Sequence, residues 1–145
     1  MDNIFVAREQ DNVCIIELKD RFDANVAPAV QAWFNERMNE GRFHLVVNLS
    51  GVNFIDTRAL SILVTGMKRC RQNGGELHLC ALQKAVQIIF ELSHLHRAFQ
   101  IFDDAHAAIA AFEGAGKPAA VMNKVIQGVN RESRSLYDSP RVAGA

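Results

Sequence analysis

The sequence predicts a small α/β domain built on a mixed, mostly parallel sheet, with an N-terminal antiparallel edge hairpin and about four helices packed on it. Three observations favour this fold class. Two apolar strand patterns stand close together at the start of the chain, the later strand patterns alternate with helical ones, and one later strand is apolar almost throughout. Alternating strands and helices are typical of βαβ units, whose crossovers bring consecutive strands into parallel pairing.

The first two strands are predicted at "NIFVAR" and "VCIIEL", with the polar segment "EQDN" as the hairpin turn between them. The next strand, "FHLVVNL", has a nearly continuous apolar run, as expected for a strand buried on both faces. We expect a turn at "SGVN" after it. The segments "ELHLC" and "AFQIF" complete the predicted sheet.

Apolar residues at helical spacing predict a first helix that ends near Gly41. Asp23 and Asn25 precede it and can cap its start, and Pro28 falls in its first turn, where a missing N–H costs little. The apolar stripe of this helix comprises Val26, Val30, Trp33, Phe34 and Met38.

A second helix is predicted between "FID" and "NGG", with Asp56 as its N-cap and Thr57 at its first helical position. A helical wheel centred on Leu60 defines two faces of this helix. The core-facing stripe comprises Leu60, Leu63, Val64, Met67 and Cys70. The face predicted to point outward comprises Arg58, Ser61, Ile62, Thr65 and Arg69.

Two further helices are predicted, and the domain is expected to end near residue 113. The third helix carries Val86, Ile89, Phe90 and Ser93 on one stripe. The fourth, capped by acids, turns Ala105, Ala108, Ile109 and Phe112 inward. Residues 114–145 carry five basic and two acidic side chains, and we expect them to form a flexible C-terminal extension. The alternative is a weak amphipathic helix at residues 121–129 that docks on the domain or on a partner.

The composition excludes several classes of partner. Sixteen basic and sixteen acidic residues cancel, so no global field attracts nucleic acid or an anionic membrane. Cys14, Cys70 and Cys80 each lie in an apolar pattern, which favours thiols in a reducing compartment over disulfides. The N-terminus does not resemble a signal peptide and no apolar run approaches the ~18 residues of a membrane helix. We therefore expect a soluble, cytoplasmic protein without direct nucleic-acid binding or membrane insertion.

The loops that hold Asp23 and Thr57 both follow predicted strands, so we expect them to share one edge of the sheet, where ligands and partners of α/β domains bind. A purely structural role for "DT" as a helix cap remains an alternative. A nucleophilic Thr57 would need a nearby base, and the histidines are predicted to be packing or surface groups. The sequence also lacks a metal-ligand cluster and a phosphate-binding glycine loop. We therefore predict no catalytic residues, no metal and no cofactor.

Four separated segments resemble, in order and spacing, the STAS domain of bacterial anti-sigma factor antagonists. These segments are "LKDRFDANVAPAV", "HLVVNLSGVNFIDTRALSILV", "RCRQNGGELHLCALQKAVQIIFELSHL" and "FQIFDDAHAAIAAF". The resemblance covers roughly residues 4 to 113 and implies a STAS-like domain at 1–113. The central "FIDTRALSIL" falls on the phosphorylation motif of that family.

The resemblance implies a switch between two protein complexes. The unphosphorylated antagonist would bind an anti-sigma factor with a histidine-kinase-like fold and thereby release a sigma factor. That anti-sigma factor would also act as a Ser/Thr kinase on Thr57, and a Ser/Thr phosphatase would reverse the modification. The motif's aspartate matches Asp56, and the family's other acidic contact matches Asp23. The implied partner surface comprises Asp23, Asn25, Asp56, Thr57, Arg58, Ser61, Ile62 and Arg69.

The sequence departs from the family pattern directly after Thr57. A small hydroxyl residue and a glycine are common there, whereas this chain has Arg58 and Ala59. Ala59 favours a stiffer helix start, and Arg58 can pair with a phosphate on Thr57 or mark a different partner. The alternatives are a STAS-type adaptor subunit of a transport or signalling assembly without a phospho-switch, and a small α/β enzyme or nucleotide-binding domain.

Overall fold

The computed structural model describes residues 5–112, and the predicted extension 114–145 lies outside them. The chain divides into two units, the first of which ends at Ile109, and the fold described below is that of the first. Its strands are β1 (Phe5–Gln10), β2 (Val13–Phe22), β3 (His44–Ile55), β4 (Glu76–Cys80) and β5 (Gln100–Phe102). Its helices are α1 (Ala27–Asn39), α2 (Thr57–Gln72), α3 (Lys84–Leu92) and α4 (Ala105–Ala110), and a 3₁₀ turn spans Leu95–Arg97.

The five strands form one sheet in the order β1-β2-β3-β4-β5, which confirms the predicted fold class. β1 pairs with β2 antiparallel, and the other three pairings are parallel. Only Asp11 and Asn12 form the hairpin turn, with φ of 55° and 68°. Positive φ at both central residues is typical of the two-residue turns that match the twist of a hairpin. The predicted turn "EQDN" was therefore too long, because its first two residues belong to β1.

The first three helices pack on one face of the sheet and α4 packs on the other. Leu77 and Leu79 of β4 join the core cluster that also contains buried residues of α1, α2 and α3. His78 lies between them and therefore points to the opposite face, where its Nδ1 lies 2.9 Å from the carbonyl oxygen of Ala108 in α4. Because a carbonyl oxygen only accepts, Nδ1 carries the proton. The predicted packing role of His78 is confirmed.

β2 and β3 are both longer than predicted, and the turn predicted at "SGVN" is wrong. β3 continues to Ile55, and β2 continues to Phe22, with register shifts in their pairing after Glu17 and after Asp20. The two extensions stabilise each other, because the last residues of β2 pair with the last residues of β3. Local polarity cannot reveal such pairing, so "SGVN" resembled a turn.

The start of α1 also differs from the prediction. The helix begins at Ala27 with Val26 as its N-cap, and no side chain caps it. The backbone carbonyl of Asp23 accepts from the N–H groups of Val26 and Ala27, at 3.0 and 2.8 Å. Capping by the side chains of Asp23 and Asn25 is therefore wrong, because a separate turn stands between these residues and the helix. The predicted end is confirmed: Gly41 follows α1 with φ of 81°.

All three cysteines are buried and unbridged. Burial raises the pKa of Cys70 to about 12 and that of Cys80 to about 11, so both remain protonated near neutral pH. Within residues 5–112, no helix has the length and apolarity to cross a membrane. In the same part of the chain, no group of histidine, cysteine and acidic side chains is arranged to hold a metal ion.

Candidate functional site

Two loops meet at the carboxyl end of β2 and β3, as predicted. Phe22 and Ile55, the last residues of these strands, are paired in register. The backbone N–H of Asp56 donates to the carbonyl oxygen of Phe22 at 3.3 Å. We call residues 21–25 and 54–58 the Thr57 rim.

Asp56 joins the two loops of the Thr57 rim through its carboxylate. Oδ1 accepts from the N–H of Ala59 at 2.9 Å, which caps α2 as predicted. Oδ2 accepts from the N–H of Ala24 at 2.9 Å, in the loop between β2 and α1. One side chain therefore fixes both the start of α2 and the position of the Asp23 loop.

Thr57 is the first residue of α2 and is exposed. The next two positions after Arg58, Ala59 and Leu60, are buried and hold the first turn against the core. Thr57 is thus presented to solvent on a fixed helix start, at the positive end of the helix dipole. Among residues 5–112, no histidine is hydrogen-bonded to it as a base would be.

Asp23 is half-buried and organises its own loop. Its Oδ1 accepts from the N–H of Asn25 at 3.0 Å, which is the geometry of an Asx turn. Its Oδ2 lies 3.5 Å from Nε of Arg21. Asp23, Asn25, Asp56 and Thr57 are therefore brought together, as the sequence predicted.

Arg21 and Phe54 complete the Thr57 rim, and the sequence analysis missed both. The guanidinium carbon of Arg21 lies 3.8 Å from the centroid of the Phe54 ring, a cation–π contact. Phe54 remains 38% exposed although it is a large apolar residue. Alternation could have revealed it, since an inward Ile55 at the end of a strand requires an outward Phe54.

The outward face of α2 matches the prediction only in part. Arg58 and Ser61 are exposed, but Ile62 is only 4% exposed, so its predicted outward position is wrong. α2 packs against α1 as well as the sheet, since a Cβ built on Gly66 would lie 3.0 Å from the ring of Phe34. Ile62 lies one turn before Gly66 and shares this second buried side.

Arg69 lies apart from the other predicted partner residues. It is twelve positions after Thr57, which places it about 18 Å further along α2. Its Nη1 donates to Oδ1 of Asn35 in α1 at 2.6 Å. In this structure Arg69 therefore connects two helices, at a distance from the Thr57 rim.

The fold and the Thr57 rim define a small α/β domain that presents an exposed hydroxyl at a helix start. A sequence profile of the STAS domain matches residues 5–108. The chain therefore belongs to the STAS domain family.

Two named relatives and one solved structure are similar to this chain over most of its length. BtrV of Bordetella bronchiseptica is 29% identical over 105 residues, which cover 72% of this chain and 90% of BtrV. The anti-sigma F factor antagonist of Paenibacillus polymyxa is 24% identical over 102 residues, covering 70% of this chain and 87% of the relative. The crystal structure of TM1081 from Thermotoga maritima superposes with a TM-score of 0.71 at 25% identity, covering 75% of this chain and 94% of that one.

Proposed function

We propose that this protein is an anti-sigma factor antagonist that is switched off by phosphorylation at Thr57. In its unphosphorylated state it binds a kinase-type anti-sigma factor with a histidine-kinase-like fold, and this frees a sigma factor. The anti-sigma factor phosphorylates Thr57, and a Ser/Thr phosphatase removes the phosphate. The observation that carries the proposal is the exposed hydroxyl of Thr57 at the start of α2. The name of the P. polymyxa relative supports the same role.

The surroundings of Thr57 suit a substrate hydroxyl better than a catalytic one. The carboxylates of Asp23 and Asp56 belong to the same rim, and both have backbone N–H partners. A phosphate on Thr57 would add about −1.5 to −2 charge beside them. A partner that packs closely against the neutral hydroxyl and these two acids would then meet a bulkier and more negative surface, and its binding would weaken.

Phosphorylation is expected to change the surface and to leave the fold intact. The start of α2 favours negative charge through the helix dipole. The cap of Asp56 and the buried residues of the first turn hold the helix in either state. Arg58 is exposed directly after Thr57 and can neutralise part of the phosphate charge. A loss of about 3 kcal/mol in binding energy would weaken the complex about a hundredfold, which is enough to exchange partners.

The proposal is tested with the kinase-type anti-sigma factor of the source organism, ATP and Mg²⁺. We expect mass spectrometry to show a single added phosphate on the wild type and none on Thr57→Ala. Thr65→Ala is the matched control, because Thr65 is an exposed threonine two turns further along α2, outside the implied partner surface. It should accept phosphate as the wild type does.

Binding of the two forms to the same anti-sigma factor completes the test. The unphosphorylated protein should bind at least ~30-fold more tightly than the phosphorylated one, and sigma factor should be displaced only by the former. Phosphate on Thr57→Ala, or equal binding of the two forms, would contradict the proposed switch. Binding without phosphorylation would favour an adaptor role.

A further inference from the structure

A second candidate site lies at the opposite end of the sheet from the Thr57 rim. A cleft of about 210 Å³ opens between the β1–β2 hairpin and the end of α1. It is lined by Ala7, Arg8, Glu9, Cys14, Trp33, Arg37, Glu40 and Arg42, and we call it the Trp33 cleft. Cys14 stands near the start of β2, eight residues before Phe22 at the Thr57 rim. At about 3.3 Å per residue the two sites are some ~26 Å apart along this strand.

Two side chains of the Trp33 cleft hold buried hydrogen-bond donors without acceptors. Trp33 is only 6% exposed, and its indole Nε1–H has no partner among the described residues. The same holds for the Nε–H of Arg37, one turn later on α1. The Arg37 guanidinium carbon lies 5.7 Å from the centroid of the Trp33 ring. Buried polar groups in native structures are normally paired, so this pair of donors requires an explanation.

The unpaired atoms specify what can bind to them. Indole and guanidinium nitrogens donate and never accept, so Trp33 and Arg37 cannot satisfy each other. A group that pairs with both side chains must therefore present acceptor atoms to both. Three arginines face two glutamates in the lining, which leaves a formal excess of one positive charge. Arg42 is paired with Glu9. Nη2 of Arg37 lies 3.2 Å from Glu40 and 3.5 Å from Glu36, which lies outside the lining. Arg8 has no acidic partner among the described residues. Its Nη1 donates instead to Oε1 of Gln10 at 2.7 Å.

We propose that the Trp33 cleft binds a small oxyanion, a phosphate or carboxylate group, that accepts hydrogen bonds from Trp33 Nε1 and Arg37 Nε. The volume of the cleft admits a free ion or one acidic side chain, and is too small for a nucleotide. The distance from the Thr57 rim leaves a bound partner and a bound anion compatible. This inference does not depend on the proposed function.

Trp33 provides its own reporter, because it is the one tryptophan in the sequence. The full chain is titrated with inorganic phosphate, sulfate and acetate at constant ionic strength, with chloride as the balancing ion. The indole N–H signal of Trp33 is followed by NMR. We expect a saturable downfield shift with half-saturation in the range of ~1–10 mM, as for a small ion held by a few hydrogen bonds.

Variants separate specific binding from general salt effects. Arg37→Gln should raise the half-saturation concentration at least ~10-fold, since it removes the charged donor. Arg97→Gln is the matched control, an exposed arginine in the 3₁₀ turn outside the cleft, and should bind as the wild type does. Trp33→Phe keeps the ring but removes the donor, and thermal melts should show that it loses stabilisation by phosphate.

Several results would overturn the proposal. A shift that stays linear in anion concentration, or that Arg37→Gln leaves unchanged, would mean that water satisfies the two donors. Equal stabilisation of wild type and Trp33→Phe by phosphate would mean the same. Absence of a saturable shift with any of the three anions would also overturn the proposal.

Discussion

Asp56 is the residue on which the geometry of the Thr57 rim depends most directly. Its two carboxylate oxygens accept from backbone N–H groups on different loops, Ala59 in α2 and Ala24 before α1. The sequence predicted the first bond from the position of an aspartate before a helix. The second could not be predicted, because it joins residues 32 positions apart whose proximity depends on the pairing of β2 with β3.

Replacing Asp56 with alanine should lower the free energy of unfolding by about 2 kcal/mol, measured by urea denaturation. About 1 kcal/mol comes from the lost cap and about 1 kcal/mol from the lost bond to the second loop. Asp104→Ala is the matched control, since Oδ1 of Asp104 caps α4 through the N–H of Ala107 at 2.8 Å. It should cost about 1 kcal/mol. Equal costs for the two variants would show that the bond to Ala24 contributes nothing.

The local sequence pattern predicted some helices and strands more accurately than others. Helix α2 was predicted at both ends, because a capping aspartate and a glycine pair mark them. Ile62 was placed on the wrong side because the wheel assumed one buried stripe, whereas α2 is covered by both the sheet and α1. The extensions of β2 and β3 were missed for a similar reason: each depends on the other strand. Local signals predict where elements start and end when caps mark them, but not what packs beside them.

The backbones of Phe43 and Gly75, just before β3 and β4, approach each other closely, and this contact gives a prediction about strand pairing. A Cβ on Gly75 would overlap the carbonyl oxygen of Phe43, which accepts from the N–H of Glu76 at 3.0 Å. Gly75→Ala should therefore separate the two strand entries and cost at least ~3 kcal/mol of stability. Gly74→Ala is the control. The φ of Gly74 is 81°, but no neighbouring atom lies within 4 Å of the position that an alanine Cβ would occupy.

Gly74→Ala should cost only about 1 kcal/mol, the strain of a left-handed alanine. Chemical denaturation of both variants measures the difference. If Gly75→Ala were no more destabilising than Gly74→Ala, the close approach of the two backbones would not limit this position.

For the molecule as a whole, burial of His78 predicts how stability depends on pH. Burial lowers the pKa of His78 from 6.5 to about 3, and burial also lowers the pKa of His44. Between pH 6.5 and about pH 3, the unfolded chain binds a proton at His78 that the folded chain excludes. Stability contributed by His78 is therefore complete above pH 6.5 and falls as the pH decreases towards 3, by up to about 1.4 kcal/mol per unit.

Urea denaturation at several pH values between 7 and 4 tests this dependence against His78→Gln. Glutamine can still donate to the carbonyl oxygen of Ala108 but does not titrate. We expect the variant to lose part of the acid sensitivity, while the contributions of His44 and the carboxylates remain common to both proteins. Parallel stability curves for the two proteins would refute the role of His78.

The consecutive order of the strands bears on how the chain folds as it is synthesised. Within residues 5–112, each of β2 to β5 pairs with the strand that precedes it, and no later strand lies between two earlier ones. A chain leaving the ribosome can therefore add β3, β4 and β5 in turn to a sheet whose neighbouring strand has already emerged. The growing domain never has to reopen a completed pair. Its advancing edge ends at β5, a strand of three residues, which leaves little backbone for an unrelated chain to join.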